Sequence, residues 1–247
     1  MFAFVTLVTN DRYVPGAMVL AASLRQLNSK YPIYVIVSPN GLSDHSRGLL
    51  NNAFDRVIEV DVLKSHQTKN LQLLGRTDLA ETWTKLHVFN PVHFPGIEAI
   101  AYLDADTLPR KNIDDIFDYV SDAVFAAAPD IGWPDCFNSG VFVCCPSHLL
   151  FDSIMRFLQA HGSFDGGDQG ILNAFFSNWA LDKDRQHPDA HPTRRLPFSY
   201  NVTPSANYTY LPAFNQHRHS IRVLHFIGRS KPWNYTRDAN GQVQPFG

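Results

Sequence analysis

Ala99-Ile100-Ala101-Tyr102-Leu103-Asp104-Ala105-Asp106 is an apolar run that ends abruptly in two carboxylates two residues apart. Side chains alternate along an extended strand, so Asp104 and Asp106 project from the same side. Two like charges at the mouth of a buried strand are costly unless a cation neutralises them. Mg²⁺ and Mn²⁺ prefer such oxygen ligands and leave positions for substrate phosphates. Taken alone, the triplet reads equally well as a pair of solvated loop aspartates.

Working outward, strand and helix signals alternate. Phe2 to Val8 is an apolar run closed by Thr9-Asn10-Asp11. Gly16 to Leu27 carries apolar residues at helical spacing, and Pro32 to Val37 is β-branched. Ser43 caps a helical stretch to about Phe54, and Arg56 to Val60 is a short strand. The spacing then predicts a helix over Asp78 to Phe89. This order specifies an α/β fold with a parallel sheet covered on both faces, whose ligands lie beyond the carboxyl ends of the strands. Thr9-Asn10-Asp11 and Asp104/Asp106 both stand at such ends.

The second half is less regular. Strands are expected at Val124 to Ala128 and Ser139 to Cys145, with helices near His148 to Ala160 and Asp168 to Phe176. Ala180 to Arg195 is polar and reads as an exposed loop. Val223 to Ile227 is another buried strand.

The 247 residues carry a formal net charge of -2, which provides no global field for nucleic acid or an acidic membrane. The apolar N-terminus lacks a basic lead-in and a cleavage site, and is too short to cross a bilayer. Cys136, Cys144 and Cys145 read as reduced core thiols, which points to the cytoplasm. The sequons at Asn201, Asn207 and Asn234 are then chance matches.

Several residues could carry chemistry. His225 lies on an apolar strand, with Gly228 and Lys231 shortly after it. An imidazole added to two carboxylates gives a mixed set suited to Mn²⁺, and Lys231 could offset charge on a departing phosphate. A core histidine and a surface lysine are the plainer alternatives. Asp165-Gly166-Gly167-Asp168-Gln169-Gly170 opens a helix, where carboxylates would repel phosphate but suit a polyol; Asp168 is also an expected N-cap. Asn138-Ser139-Gly140 offers hydrogen-bonding groups or a turn. Lys85 reads equally as part of a charged helical face, and the tail tyrosines Tyr200, Tyr208, Tyr210 and Tyr235 as sugar-stacking or packing rings.

The chain closely resembles glycosyltransferase family 8, and within it the self-glucosylating primers of glycogen synthesis. The likeness runs from Phe4-Val5-Thr6-Leu7-Val8-Thr9-Asn10-Asp11 through Gly132-Trp133-Pro134-Asp135-Cys136-Phe137-Asn138-Ser139-Gly140 and Gly162 to Asn173, and on to Lys231-Pro232-Trp233-Asn234-Tyr235. It implies one Rossmann-like, GT-A-type domain over 1–247 with a mostly parallel sheet. The nucleotide-binding half would be about 1–110 and the acceptor half about 111–247.

The resemblance further implies UDP-glucose as donor and Mn²⁺ as cofactor, with Asp104, Asp106 and His225 as metal ligands and Ala105 beside the donor. Leu7, Thr9, Asn10 and Tyr13 would hold the uridine, and Arg76 and Lys85 would contact the nucleotide sugar. Gly228 and Lys231 would bind the diphosphate, and Asn138, Ser139, Asp165, Asp168 and Gln169 would surround the glucose. The acceptor would be the protein's own Tyr208, later extended as a short α-1,4-glucan. A homodimer is implied. Glycogen synthase is a possible partner, although the family's binding tail is absent from this sequence. Asn201 to Ala206 departs from the family wording, and Asp182 to Thr193 is longer.

The chemistry implied is a retaining transfer. Lys231 and Mn²⁺ stabilise the UDP leaving group, and Asp168 is a nucleophile or stabiliser of an oxocarbenium-like centre. Transfer to a free acceptor and a non-catalytic sugar-nucleotide scaffold are the alternatives. A haloacid-dehalogenase-type phosphatase fits poorly, because Asp168 precedes Lys231 and the Asp-Ala-Asp motif comes late.

Overall fold

The computed structural model describes residues 1–65, 68–73, 75, 77–181, 191–204, 210–228, 230–238 and 240–244. Strands β1 (Phe2–Val8), β2 (Ile33–Val37), β3 (Arg56–Glu59) and β4 (Ala99–Leu103) alternate with helices α1 (Val14–Gln26), α2 (Asp44–Ala53) and α3 (Thr68–Leu73). After them come β5 (Thr107–Pro109), β6 (Phe125–Pro129), β7 (Phe137–Cys144), α4 (His148–His161), α5 (Asp168–Phe175), β8 (Thr193–Arg195), α6 (Leu211–His217) and β9 (Val223–His225).

Seven strands form one sheet in the order β3-β2-β1-β4-β7-β6-β8. The pairs β2/β3, β1/β2, β1/β4 and β6/β8 are parallel, whereas β7 runs antiparallel to both β4 and β6. The sheet is mostly parallel, as the strand–helix alternation predicts, and it takes strands from both halves of the chain. The reversal follows from connectivity: β6 and β7 are joined by a short hairpin, which forces opposite directions.

Alternation along the strands builds two cores. Phe4, Val8, Ala101 and Leu103 face one side with Val14, Leu20, Leu24 and Leu50 of α1 and α2. Ala3, Val5, Ile100 and Tyr102 face the other with Leu86, Phe89, Ile154 and Ile171. Burial on both faces explains why these strands read as unbroken apolar runs.

Three local expectations differ from the structure. Thr77–Phe89 is wound as 3₁₀ turns rather than an α-helix. Residues 182–190 of the expected Ala180 to Arg195 loop lie outside the described residues, but its end is β8, paired with β6 through Phe125↔Thr193. Asp168 does not cap α5; the cap residue is Gly167, and Asp168 is the first helical residue. That single step places its carboxylate in the interior.

Ser43 does cap α2, accepting from the Ser46 N–H at 3.3 Å. All three cysteines are free thiols. No helix among the described residues is long and apolar enough to cross a membrane.

Candidate active site

Asp104 and Asp106 follow β4, and a small two-stranded sheet brings the distant His225 to them. In that sheet β5 pairs antiparallel with β9, Thr107 opposite His225, and the Phe226 N–H donates to the Asp106 carbonyl at 2.9 Å. His225 Nε2 consequently lies 3.2 Å from Asp106 Oδ1 and 3.8 Å from Asp104 Oδ2. One ligand atom from each of the three residues falls within 4.8 Å of the others.

The other ring nitrogen is fixed by a residue that sequence reasoning missed. Residue 202 bridges to Leu224, and the His225 N–H donates to the Val202 carbonyl at 2.9 Å, so the Asn201 segment runs beside β9. Asn201 Nδ2 donates to Asn138 Oδ1 at 2.9 Å, which turns Asn201 Oδ1 towards His225 Nδ1, also at 2.9 Å. Nδ1 is thereby engaged by Asn201, and Nε2 is left facing the carboxylates, the ring nitrogen a metal ligand would offer.

Two buried ammonium groups offset part of the carboxylate charge. Lys231 Nζ donates to Asp106 Oδ2 at 2.5 Å and to the Phe226 carbonyl at 2.8 Å. Lys85 Nζ lies 3.0 Å from Asp104 Oδ1 and 2.6 Å from Asp168 Oδ2, and donates to the Ser139 carbonyl at 3.2 Å. Burial works to neutralise Lys85, but Asp104 and Asp168 outweigh it and hold its pKa well above the ordinary lysine value. Burial also opposes ionisation of Asp106, yet His225 and Lys231 overcome it and keep the carboxyl well below the usual range.

Tyr102, likewise unforeseen, donates its hydroxyl to Asp104 Oδ1 at 2.8 Å. Burial, then the Asp104 charge, raises its pKa, so the phenol remains a donor. Three carboxylates face two ammoniums here, leaving net negative charge for a cation. Two carboxylate oxygens and an imidazole nitrogen are a donor set that fits Mn²⁺.

The expected sugar-side residues join the same network. Gln169 accepts from the Ser139 N–H at 3.2 Å and donates to Asp130 Oδ2 at 2.8 Å, while Asn138 Nδ2 reaches the same Asp130 oxygen at 3.3 Å. Asp130 is a further member not singled out from sequence. Asp165 Oδ1 accepts from Ser163 Oγ at 2.7 Å and the Gly167 N–H at 2.8 Å, and so holds the turn before α5.

The parallel register that sets Val5 opposite Tyr102 brings Leu7, Thr9 and Asn10 to the same sheet edge as Asp104. Asn10 accepts from the Arg12 N–H at 3.1 Å. Tyr13 lies edge-on to Trp233 at 6.0 Å and beneath the Lys231 ammonium at 5.7 Å. Ala105 is buried, and Gly228 adopts φ +101°, a conformation that favours glycine. Arg76 and Tyr208 lie outside the described residues.

The sequence profile of glycosyl transferase family 8 matches residues 4–237. The chain belongs to glycosyltransferase family 8. Within this family it is 48% identical to human Glycogenin-1 over 96% of its length and 45% identical to human Glycogenin-2 over 94%. It is also 44% identical to Glycogenin-1 of Caenorhabditis elegans over 94%. It spans 63%, 44% and 51% of those three relatives respectively, less than two thirds of each.

Among solved structures, the galactosyltransferase LgtC in complex with donor and acceptor sugar analogues aligns with a TM-score of 0.64 at 19% identity, covering 97% of this chain and 91% of that one. GlyE of Streptococcus pneumoniae aligns at 0.62 and 20% identity, covering 94% and 56%. At such identities the likeness is one of fold. Family 8 membership and the GT-A-type fold thus agree with the α/β architecture expected from sequence.

Proposed function

We propose that this chain is a self-glucosylating glucosyltransferase, which moves glucose from UDP-glucose to its own Tyr208 and lengthens the product into a short α-1,4-glucan that primes glycogen synthesis. The observation that carries this assignment is the convergence of Asp104, Asp106 and His225 on one point, with Lys231 against Asp106 and Asp168 linked to Asp104 through Lys85. The similarity to the human glycogenins supports the choice of donor and acceptor.

Asp104, Asp106 and His225 would hold Mn²⁺, which when bound supplies positive charge to the donor's diphosphate. Lys231 brings an ammonium to the charge that develops on the UDP leaving group. Asn201 keeps His225 Nε2 turned towards the two carboxylates. Lys85 positions Asp104 and Asp168 together, and its buried ammonium keeps two neighbouring carboxylates from repelling each other. Asp168 is the carboxylate offered to the glucosyl centre, as nucleophile or as stabiliser of an oxocarbenium-like centre. Asn138, Ser139, Asp165 and Gln169 supply hydrogen bonds to the glucose. Leu7, Thr9, Asn10, Tyr13 and Arg76 serve the nucleotide, with Ala105 and Gly228 close to the diphosphate. The enzyme works in the cytoplasm as a homodimer, and glycogen synthase is the partner that would extend its glucan.

Intact mass spectrometry after incubation with UDP-glucose and Mn²⁺ tests the assignment. Successive hexose increments should appear on the wild type and disappear in Tyr208→Phe. No increment in the wild type, or an unchanged ladder in the variant, contradicts it. Transfer to added maltosides by Tyr208→Phe would show that the site also serves free acceptors.

A further inference from the structure

Trp133 is 95% exposed and its neighbour Ile131 is 56% exposed, at the tip of the hairpin between β6 and β7. An indole is the largest apolar side chain, and most are largely buried. This one is presented on a turn that is firmly closed. The Asp130 N–H donates to the Cys136 carbonyl at 2.9 Å, and the Cys136 N–H to the Pro134 carbonyl at 2.8 Å. Asp130 Oδ1 accepts from the Ile131 N–H at 2.8 Å.

The turn is also wired to the candidate site. The other oxygen of Asp130 accepts from Gln169 at 2.8 Å and from Asn138 at 3.3 Å, two residues assigned to the sugar. One carboxylate therefore fixes both the Trp133 turn and the sugar-side hydrogen-bonding groups. Across Gln169, the turn before α5 carries a second outward aromatic, Phe164, 63% exposed between the Ser163 and Asp165 side chains that lock it.

We propose that Trp133 is a stacking platform for the growing acceptor: the indole receives the C–H face of a pyranose ring in an α-1,4-linked glucose oligomer. The assignment rests on the function proposed above. The occupant is an oligosaccharide rather than a second copy, because one indole and one isoleucine offer far less than the roughly 800 Å² that each partner buries in a stable interface. The surroundings are polar, with the exposed Arg195–Asp135 pair at 3.2 Å available to sugar hydroxyls.

The test is a titration with maltohexaose, followed by tryptophan fluorescence and by calorimetry, on the wild type, Trp133→Ala and Trp133→Phe. Binding should weaken by about tenfold in Trp133→Ala, a change of about 1.4 kcal/mol, and recover in part in Trp133→Phe. The variant's glucan ladder by mass spectrometry should end at fewer hexoses. Equal maltohexaose affinity in wild type and Trp133→Ala, or none in either, overturns the platform. So does a dimer that becomes monomeric in Trp133→Ala with glucan affinity unchanged. If the wild type transfers no glucose yet binds maltohexaose through Trp133, the platform stands and the proposed transferase activity fails.

Discussion

Asn201 Oδ1 lies 2.9 Å from His225 Nδ1, and this contact holds the ring with Nε2 turned towards Asp104 and Asp106. Outer partners of this kind set the basicity and orientation of a ligating histidine. Asn201→Ala should therefore weaken Mn²⁺ binding by about 10–100-fold. A Mn²⁺ titration followed by electron paramagnetic resonance measures it; unchanged affinity would remove Asn201 from the site.

Gly140 abuts the same ring. A Cβ at that position would stand 2.1 Å from His225 Cε1 and 2.7 Å from Nδ1, far inside contact distance. Gly140→Ala should force His225 out of place and abolish the proposed Mn²⁺-dependent transfer, while the chain still folds. Retention of full transfer in a variant with normal circular dichroism would contradict the packing described.

Lys85→Met leaves Asp104 and Asp168 facing each other without their shared ammonium. Removing one partner of a buried ion pair costs about 3–5 kcal/mol, and urea unfolding of the metal-free protein should show a loss of that order. Mn²⁺ should recover part of it by neutralising Asp104. A loss below about 1 kcal/mol, the usual range for an exposed pair, would mean that the pair is solvated.

Acid should destabilise the fold through histidines away from the site. Burial lowers the pKa of His87, His93 and His191 below the ordinary 6.5, with His93 adding repulsion at His87 and Arg56 at His93. Each stays neutral in the folded chain where the unfolded chain has already bound a proton. Stability is then fully present above pH 6.5 and falls as pH drops below it. Thermal unfolding of the metal-free protein between pH 7.5 and 5.5 should show a declining midpoint, with a shallower decline in His87→Gln. A midpoint that rises towards pH 5.5 would reverse the sign.

Much of this was legible in the sequence. The apolar runs at Phe2–Val8 and Ala99–Leu103 stand out because both faces of the sheet are covered. Asp104 and Asp106 announce themselves as charges that end such a run. β8 was hidden because three residues, Thr193-Arg194-Arg195, carry too little apolar pattern and only Thr193 is buried.

Lys85 could not be told from a surface lysine, since its depth depends on a 3₁₀ winding that spacing does not reveal. Asn201 and Asp130 escaped notice because their roles arise from long-range pairing, β9 with the 202 bridge and the β6–β7 hairpin with α5. Asn138 and Gln169 were picked out, but not the carboxylate that joins them.

The cation site is tested most directly by crystals grown with Mn²⁺ and UDP, using anomalous diffraction at the manganese edge. A single strong peak should lie between Asp104, Asp106 and His225 Nε2, beside the diphosphate, and should vanish in His225→Ala. A peak bound elsewhere, or none at these three residues while UDP occupies the β1 edge, would contradict the account.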